Sequence, residues 1–410
     1  MKYFKLILTI VLAAVILCSC ANNTTGEDLT AKVTPNDSRY YSFKIGETKT
    51  PSSYNTYKVA AQSFALNMLK SMSDESGNVF VSPAALYGQL GLLQNAANGA
   101  TQKEIKQLVS KNLGIEELNE CNGYFFSRLE ELSGESSYIS LGADMFINDG
   151  VIVSTDFLQN NADSYNQGIR RLGRDENTPE IINEYLSEKT GYDLSGLFTS
   201  PDGDIDLAST AYLKDKWLDG YKSADITSDT FSGTTESTAS FMHSTELFLE
   251  GKNCTGFIKD YKNTPCRFVA LLPNEGMSAV ELAQSLNYEE YQNIIGSMNI
   301  FTTCEAYLPQ FKVEKNVEFN GALTDLGAAS IFESGDFAGL SFNQKATVNA
   351  VNQHIAFSVN AAGSSAKKPH YSDSSKIEAK KEVRLSRPFV FMIIDNESNV
   401  PIFEGIVSKI

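Results

Sequence analysis

Apolar residues recur at helical spacing in the first half of the chain and in short unbroken runs in the second. Ala61, Phe64, Ala65, Met68, Leu69 and Met72 fall on one stripe, which predicts an amphipathic helix. Ser82-Pro83 predicts the start of a second, with Ser as the cap and Pro in the first turn. That helix carries Ala85, Leu86, Leu90, Leu92 and Leu93 and breaks near Asn98-Gly99. Thr101 followed by Glu104 fits a capping box and predicts a third helix beginning there. Pro179 opens another, through Ile181, Ile182, Tyr185 and Leu186. Downstream, 267–272 is a short apolar run closed by Pro273-Asn274, which reads as a buried strand and turn. The runs 389–394 and 402–407, joined across 396–399, predict a C-terminal hairpin buried on both faces. Helices lead and strands follow, so the class is α+β in one large domain.

The pattern fails in two places. Between Asn360 and Arg384 it disappears, and Ile377 is the one large aliphatic residue before Val383. A structureless stretch of that length, tied at both ends, marks a functional loop. At the other end, Lys2 and Lys5 precede an apolar run, 6–17, too short for a membrane span of about 20 residues. It reads as a signal peptide covering 1–19. Its last residues, Leu17-Cys18-Ser19-Cys20, resemble a bacterial lipobox, with cleavage after Ser19 and lipid on Cys20. Ordinary cleavage, leaving Cys20 a spare thiol, is the alternative. Residues 20–53 are rich in Asn, Thr, Ser, Pro and Gly and are expected to be a flexible tether to a domain spanning 54–410.

Charge and chemistry narrow the function classes. A formal net charge of −16 argues against a nucleic-acid partner, because phosphate binding needs clustered Lys and Arg. Cys121, Cys254, Cys266 and Cys304 remain after processing. Cys254 and Cys266 flank a predicted hairpin and are the candidate disulfide, with buried free thiols as the default. There are three histidines, His243, His354 and His370, and no nucleophile elbow, zinc-protease, Cys-x-x-Cys or phosphate-loop motif. No enzyme, cofactor or metal is expected. His243 and His354 read as hydrogen-bonded structural histidines.

Several segments together resemble the serpin family. Asn78-Val-Phe-Val-Ser82-Pro83 and the helix after it, with Ala97-Asn-Gly-Ala-Thr101, are similar to the family's N-F-x-S-P region. So are Ile182-Asn183 through Thr190, and Ala211-Tyr-Leu-Lys214-Asp-Lys216-Trp217, which holds the single Trp. Phe241-Met242-His243, Leu308-Pro309-Gln310-Phe311, Leu326-Gly327, Arg387-Pro388-Phe389 and Phe403-Glu404-Gly405 follow in family order. The resemblance covers 55–410. It implies three β-sheets, eight or nine helices and a reactive-centre loop of about 361–385 exposed above the body.

In that family a serine or cysteine protease cuts the loop and becomes acylated, and the cut loop inserts as a central strand of the largest sheet. Conformational strain drives this step. The hinge is then Gly363, Ser364, Ser365 and Ala366, with small side chains suited to burial on insertion. Family spacing places the bait residue fourteen positions after Gly363, at Ile377, and counting eleven back from Pro388 reaches the same residue. The reactive bond is Ile377–Glu378, for an elastase-like protease; Lys376 is the second candidate, for a trypsin-like or subtilisin-like one.

The residues implied for opening the sheet are Ser82, Ser209, Trp217 and Gln353, with a Ser209–Gln353 hydrogen bond standing where the family has an Asn–His pair. Ala361 and Gln310 replace a family acid–base pair, and Lys367, Lys368 and Pro369 depart from the small residues the hinge usually carries. Lys368 would face the core after insertion, and Pro369 would delete a ladder hydrogen bond. The expected protein is an exported, lipid-anchored monomer that traps serine proteases. The alternative is a non-inhibitory member acting as a cleavable substrate, carrier or chaperone.

Overall fold

The apolar stripe at 61–72 forms the buried side of a long helix in the computed structural model, which describes residues 26–36, 43–74, 77–133, 137–200, 202–341, 345–361 and 381–410. A two-residue strand, β1 (Glu27–Asp28), precedes that helix, α1 (Tyr54–Met72). β2 (Val79–Val81) leads into α2 (Pro83–Ala96), where the Ser82 hydroxyl accepts the Ala85 N–H and Pro83 opens the first turn. α3 runs Gly99–Val109, beginning two residues before Thr101. Gly99 holds a φ of +56°, which brings the chain into the helix early. Thr101 and Glu104 form no capping box; they accept the Asp336 and Ser330 N–H groups instead.

The chain continues through α4 (Ile115–Glu131), β3 (Tyr138–Asn148), α5 (Thr155–Ser164) and β4 (Gly168–Leu172). α6 (Thr178–Thr190) starts with Pro179 in its first turn and ends at Gly191, whose φ of +74° closes the helix. β5 (Ile205–Lys214), β6 (Ile226–Ser232), β7 (Glu236–Glu250), β8 (Cys254–Asp260) and β9 (Cys266–Pro273) come next. Two short helices, α7 (Ala279–Ser285) and α8 (Tyr288–Gly296), precede β10 (Thr303–Pro309) and β11 (Phe311–Glu318). α9 (Asn320–Asp325), β12 (Gly335–Asp336), β13 (Lys345–Ala346) and β14 (Val348–Val359) follow. The chain closes with β15 (Lys381–Arg384), β16 (Phe389–Asp395) and β17 (Pro401–Val407). Among the described residues this makes nine helices, none long and apolar enough to cross a membrane.

One six-stranded sheet has the order β1-β4-β3-β5-β14-β11. A second path, β15-β10-β7-β8-β9-β16-β17-β2, bends at β7: residues 236–242 pair with β6, 241–247 with β10 and the last four with β8. That bend divides the path into two sheets, so the α+β architecture has the three sheets expected, plus the small β12–β13 ribbon. The predicted C-terminal hairpin is the core. Every residue of β16 and β17 is buried, with Phe391 and Phe403 packed on Phe357 of β14 at 5.6 and 5.4 Å. Met392, Ile394 and Ile406 face Leu66 and Leu69 of α1, Leu282 of α7 and Ile294 of α8. Each such side chain contributes about 1.5–3 kcal/mol on burial.

One expectation is corrected, and of the two thiol readings the default holds. Residues 20–53 are not all a free tether. β1 adds an antiparallel strand to β4, Glu27 opposite Arg171 and Asp28 opposite Arg170, and Leu29 is fully buried. Asn36 donates twice to Asp163 of α5, at 2.8 and 2.9 Å, and the Phe43 ring meets Tyr124 edge-on. The exposed edge of β4 offers unpaired backbone groups, and a short polar segment satisfies them without an apolar run that sequence reading could detect. Cys254 and Cys266 form no disulfide. The β8–β9 register sets Cys254 opposite Pro273 and Arg267 opposite Asp260, so the two thiols lie at opposite ends of the hairpin, about 20 Å apart.

Candidate functional site

The seam where β5 and β14 lie side by side is the place an extra strand would enter. The two are parallel and paired from Val348 opposite Ile205 to Ala356 opposite Tyr212. A buried polar cluster fastens the middle of the seam. Gln353 of β14 donates from Nε2 to the Ser209 hydroxyl at 3.1 Å and to the Ser82 carbonyl at 3.0 Å. Its Oε1 accepts the Ser82 N–H at 2.6 Å, and Ser82 Oγ donates to the Ile402 carbonyl at 2.7 Å. Ser82, Ser209 and Gln353 are all fully buried. One side chain thus joins β14 to β5 and to the cap of α2, and buried polar groups need such partners. Gln89 of α2 adds a fastening that sequence reading missed, its Nε2 donating to the Ala208 carbonyl of β5 at 2.9 Å. A Gln on a Leu-rich helix carries no local signal of this.

The upper end of the seam is held by Trp217. Its indole N–H donates to the Asn360 carbonyl at 2.9 Å, just past the end of β14. The ring stacks on Tyr261 with centroids 4.6 Å apart and meets Phe268 edge-on. Lys259, almost fully buried, is ion-paired with Glu246 and lies over the Tyr221 and Trp217 rings. Desolvation pushes the Glu246 carboxyl upward, with Lys259 opposing. Ala361 packs on the core beside this group, and the Gln310 N–H donates to Ser240, so the positions of the family's acid–base pair are occupied without charge.

The chain re-enters the body at β15, which pairs in parallel with β10. Lys381 lies 3.9 Å over the Phe248 ring and pairs with Glu250 at 3.3 Å. Arg384 lies over Tyr307, on which His243 also stacks while bonding to Glu305. His354 bonds Asn316, and burial pushes its pKa down.

α6 crosses the other face of the sheet. Ile182 and Leu186 pack against Phe146 and Ala208, and Tyr185 meets Phe146 edge-on at 5.8 Å. Lys189 grips the buried Asp144 of β3 through both oxygens, at 2.7 and 2.8 Å. α6 is therefore fastened across β3 and β5 by apolar packing and one ion pair. Cys20, Gly363, Ser364, Ser365, Ala366, Lys367, Lys368, Pro369, Lys376, Ile377 and Glu378 lie outside the described residues.

Residues 59–410 match the family model described as serpin (serine protease inhibitor). Human serpin I2 is 24% identical over 370 residues, covering 84% of this chain and 90% of the relative. Human neuroserpin is 24% identical over 364 residues, with 81% and 86% covered. Among solved structures, the thermophilic serpin tengpin in its native state superposes with a TM-score of 0.81 at 25% identity, covering 94% of this chain and all of tengpin. Human thyroxine-binding globulin superposes with a TM-score of 0.74 at 17% identity, which shows the shared fold.

Proposed function

Because the chain belongs to the serpin family, we propose that it is a single-use trap for extracellular serine proteases, exported and held at a membrane by lipid on Cys20. The observation that carries this reading is the direct parallel pairing of β5 with β14. A segment leaving the top of β14 at Ala361 and folding back between the two would run antiparallel to both. One parallel ladder would be exchanged for two antiparallel ones, which are slightly more stable per residue. That gain, released when cleavage frees the loop, supplies work to carry an acylated protease along.

Ile377–Glu378 is the proposed reactive bond, for an elastase-like or subtilisin-like protease, with Lys376 second and 363–366 as the hinge. A non-inhibitory role is the second reading, favoured by Lys367, Lys368 and Pro369. A charged side chain buried unpaired and a missing ladder donor both slow insertion. Thyroxine-binding globulin, solved in complex with thyroxine, shares the fold.

The test mixes the protein with elastase, trypsin or subtilisin and reads the products on a denaturing gel, with mass spectrometry of the released C-terminal peptide. A boiling-resistant adduct with a peptide beginning at Glu378 is expected. A peptide beginning at Ile377 moves the bait to Lys376. Cleavage without adduct by every enzyme refutes trapping and supports the second reading.

A further inference from the structure

The strand registers place the start of the described chain and the two ends of the reactive loop at opposite poles of the six-stranded sheet. β3 and β5 run antiparallel, with Tyr138 beside Lys214 at one end and Ile147 beside Ile205 at the other. The loop leaves from the Lys214 end, where Trp217 holds Asn360. It returns at Lys381, whose neighbour β10 leads to Pro309 beside that same end. β4 ends with Leu172 beside Asn148, at the Ile205 end. Glu27 faces Arg171 there, and Gly26 lies against the Arg171 carbonyl so closely that an added Cβ would come within 2.4 Å of it. Between Val348, at the Ile205 end, and Val359 the rise of β14 is about 36 Å.

This separation matters because β1 shortens the tether. Were residues 20–53 free, a flexible chain of that length would have a root-mean-square span of about 30 Å, and the domain would take any orientation. With the chain zipped onto β4 from Gly26 onward, the six residues back to Cys20 span at most about 20 Å. The zip is held by buried Leu29, whose N–H donates to the Ile169 carbonyl at 2.9 Å. The ion pairs Arg171–Glu27 and Arg170–Asp28 add to it.

We propose that the protein stands on a lipid bilayer with the corner formed by β1, the lower ends of β3 and β4 and the start of α6 facing the headgroups, so that Ala361 and Lys381, the two ends of the reactive loop, lie at the pole away from the membrane. This rests on the reading of Cys20 as lipidated. The turn after β3 lies on this corner and carries Ile152, 64% exposed, as its apolar contact. The proteases that reach the bait are then soluble ones arriving from the aqueous side, and membrane-embedded proteases of the same bilayer are out of reach.

The lipidated full chain would be reconstituted in vesicles of phosphatidylethanolamine and phosphatidylglycerol carrying a headgroup quencher. A fluorophore is placed through Ile152→Cys or Lys214→Cys; the native Cys121, Cys254, Cys266 and Cys304 are buried and compete little for the label. Flotation is read first. Floated protein is expected to show several-fold stronger quenching at position 152 than at 214, and Leu29→Lys, which unzips β1, is expected to equalise the two. Equal quenching in the intact chain, or asymmetry that survives Leu29→Lys, overturns the orientation and leaves lipidation standing. Protein that does not float, behaving like a Cys20→Ser control, overturns the lipidation reading and the orientation with it.

Discussion

Gln353 is the residue whose removal tests the seam most sharply. Its side chain makes three hydrogen bonds, two to the Ser82 backbone and one to the Ser209 hydroxyl, in a site closed to solvent. Gln353→Ala leaves the buried Ser82 N–H without that partner, at about 1–3 kcal/mol, and removes two further bonds worth about 0.5–1.5 kcal/mol each. The expected loss is about 2–6 kcal/mol. Ser209→Ala removes one of the three bonds and leaves Gln353 Nε2 still satisfied by the Ser82 carbonyl, so it is expected to cost about 1 kcal/mol. Because the bonds share one side chain, the double variant should cost little more than Gln353→Ala alone. Urea unfolding followed by fluorescence of Trp217, the single tryptophan, reports each value. Equal costs for the two single variants, or full additivity, would refute the idea that Gln353 is the latch and Ser209 its minor partner.

Glu404 of β17 is fully buried, and neither carboxyl oxygen has a hydrogen-bond partner among the described residues, so desolvation raises its pKa well above the ordinary range. The native carboxyl stays neutral while the unfolded one ionises, so this stabilisation is complete below the unfolded pKa of about 4.3 and is lost as pH rises. Glu404→Gln is expected to gain steadily on the wild type as pH rises above about 5, by up to about 1.4 kcal/mol per pH unit; parallel stability curves would contradict this. Lys189→Met strands the buried Asp144 carboxylate and is expected to cost about 2–3 kcal/mol after allowance for the half-exposed lysine, with Asp144→Asn in the same chain recovering most of it. Thiol labelling of the native chain from Gly26 onward is expected to modify almost none of its four cysteines and, after denaturation, all four; fast native labelling would contradict their burial.

The parts of the fold legible in the sequence are those whose burial is continuous or periodic. The stripe on α1, the Ser82-Pro83 start of α2 and the C-terminal hairpin were all readable because one local pattern specifies each. The start of α3 was misplaced because Thr101 and Glu104 have the residue types of a capping box but serve the 328–336 segment instead. The docking of residues 26–36 was hidden because it depends on two isolated apolar residues, Leu29 and Val33, and on Arg170 and Arg171 over a hundred positions away. At the seam, Ser209 and Gln353 were found through family order rather than chemistry. Gln89, Lys189 and the Lys259–Glu246 pair were missed, since each acquires its meaning from a partner that only the folded chain supplies.

The C-terminal hairpin has a consequence for what a cut would look like. Beyond Glu378 the chain enters β15, bonded to β10, and then β16 and β17, whose residues are buried without exception. A chain severed in its loop would therefore stay a single particle, its two pieces held as firmly as any core. Size exclusion and light scattering would register nothing, and the smaller piece would dissociate only on denaturation. A molecule cut without retaining a protease would differ from the uncut one in internal connectivity and sheet order while keeping nearly the same mass and outline. A cell discarding copies cut without a captured protease would have to recognise shape, because no fragment is shed to announce the event.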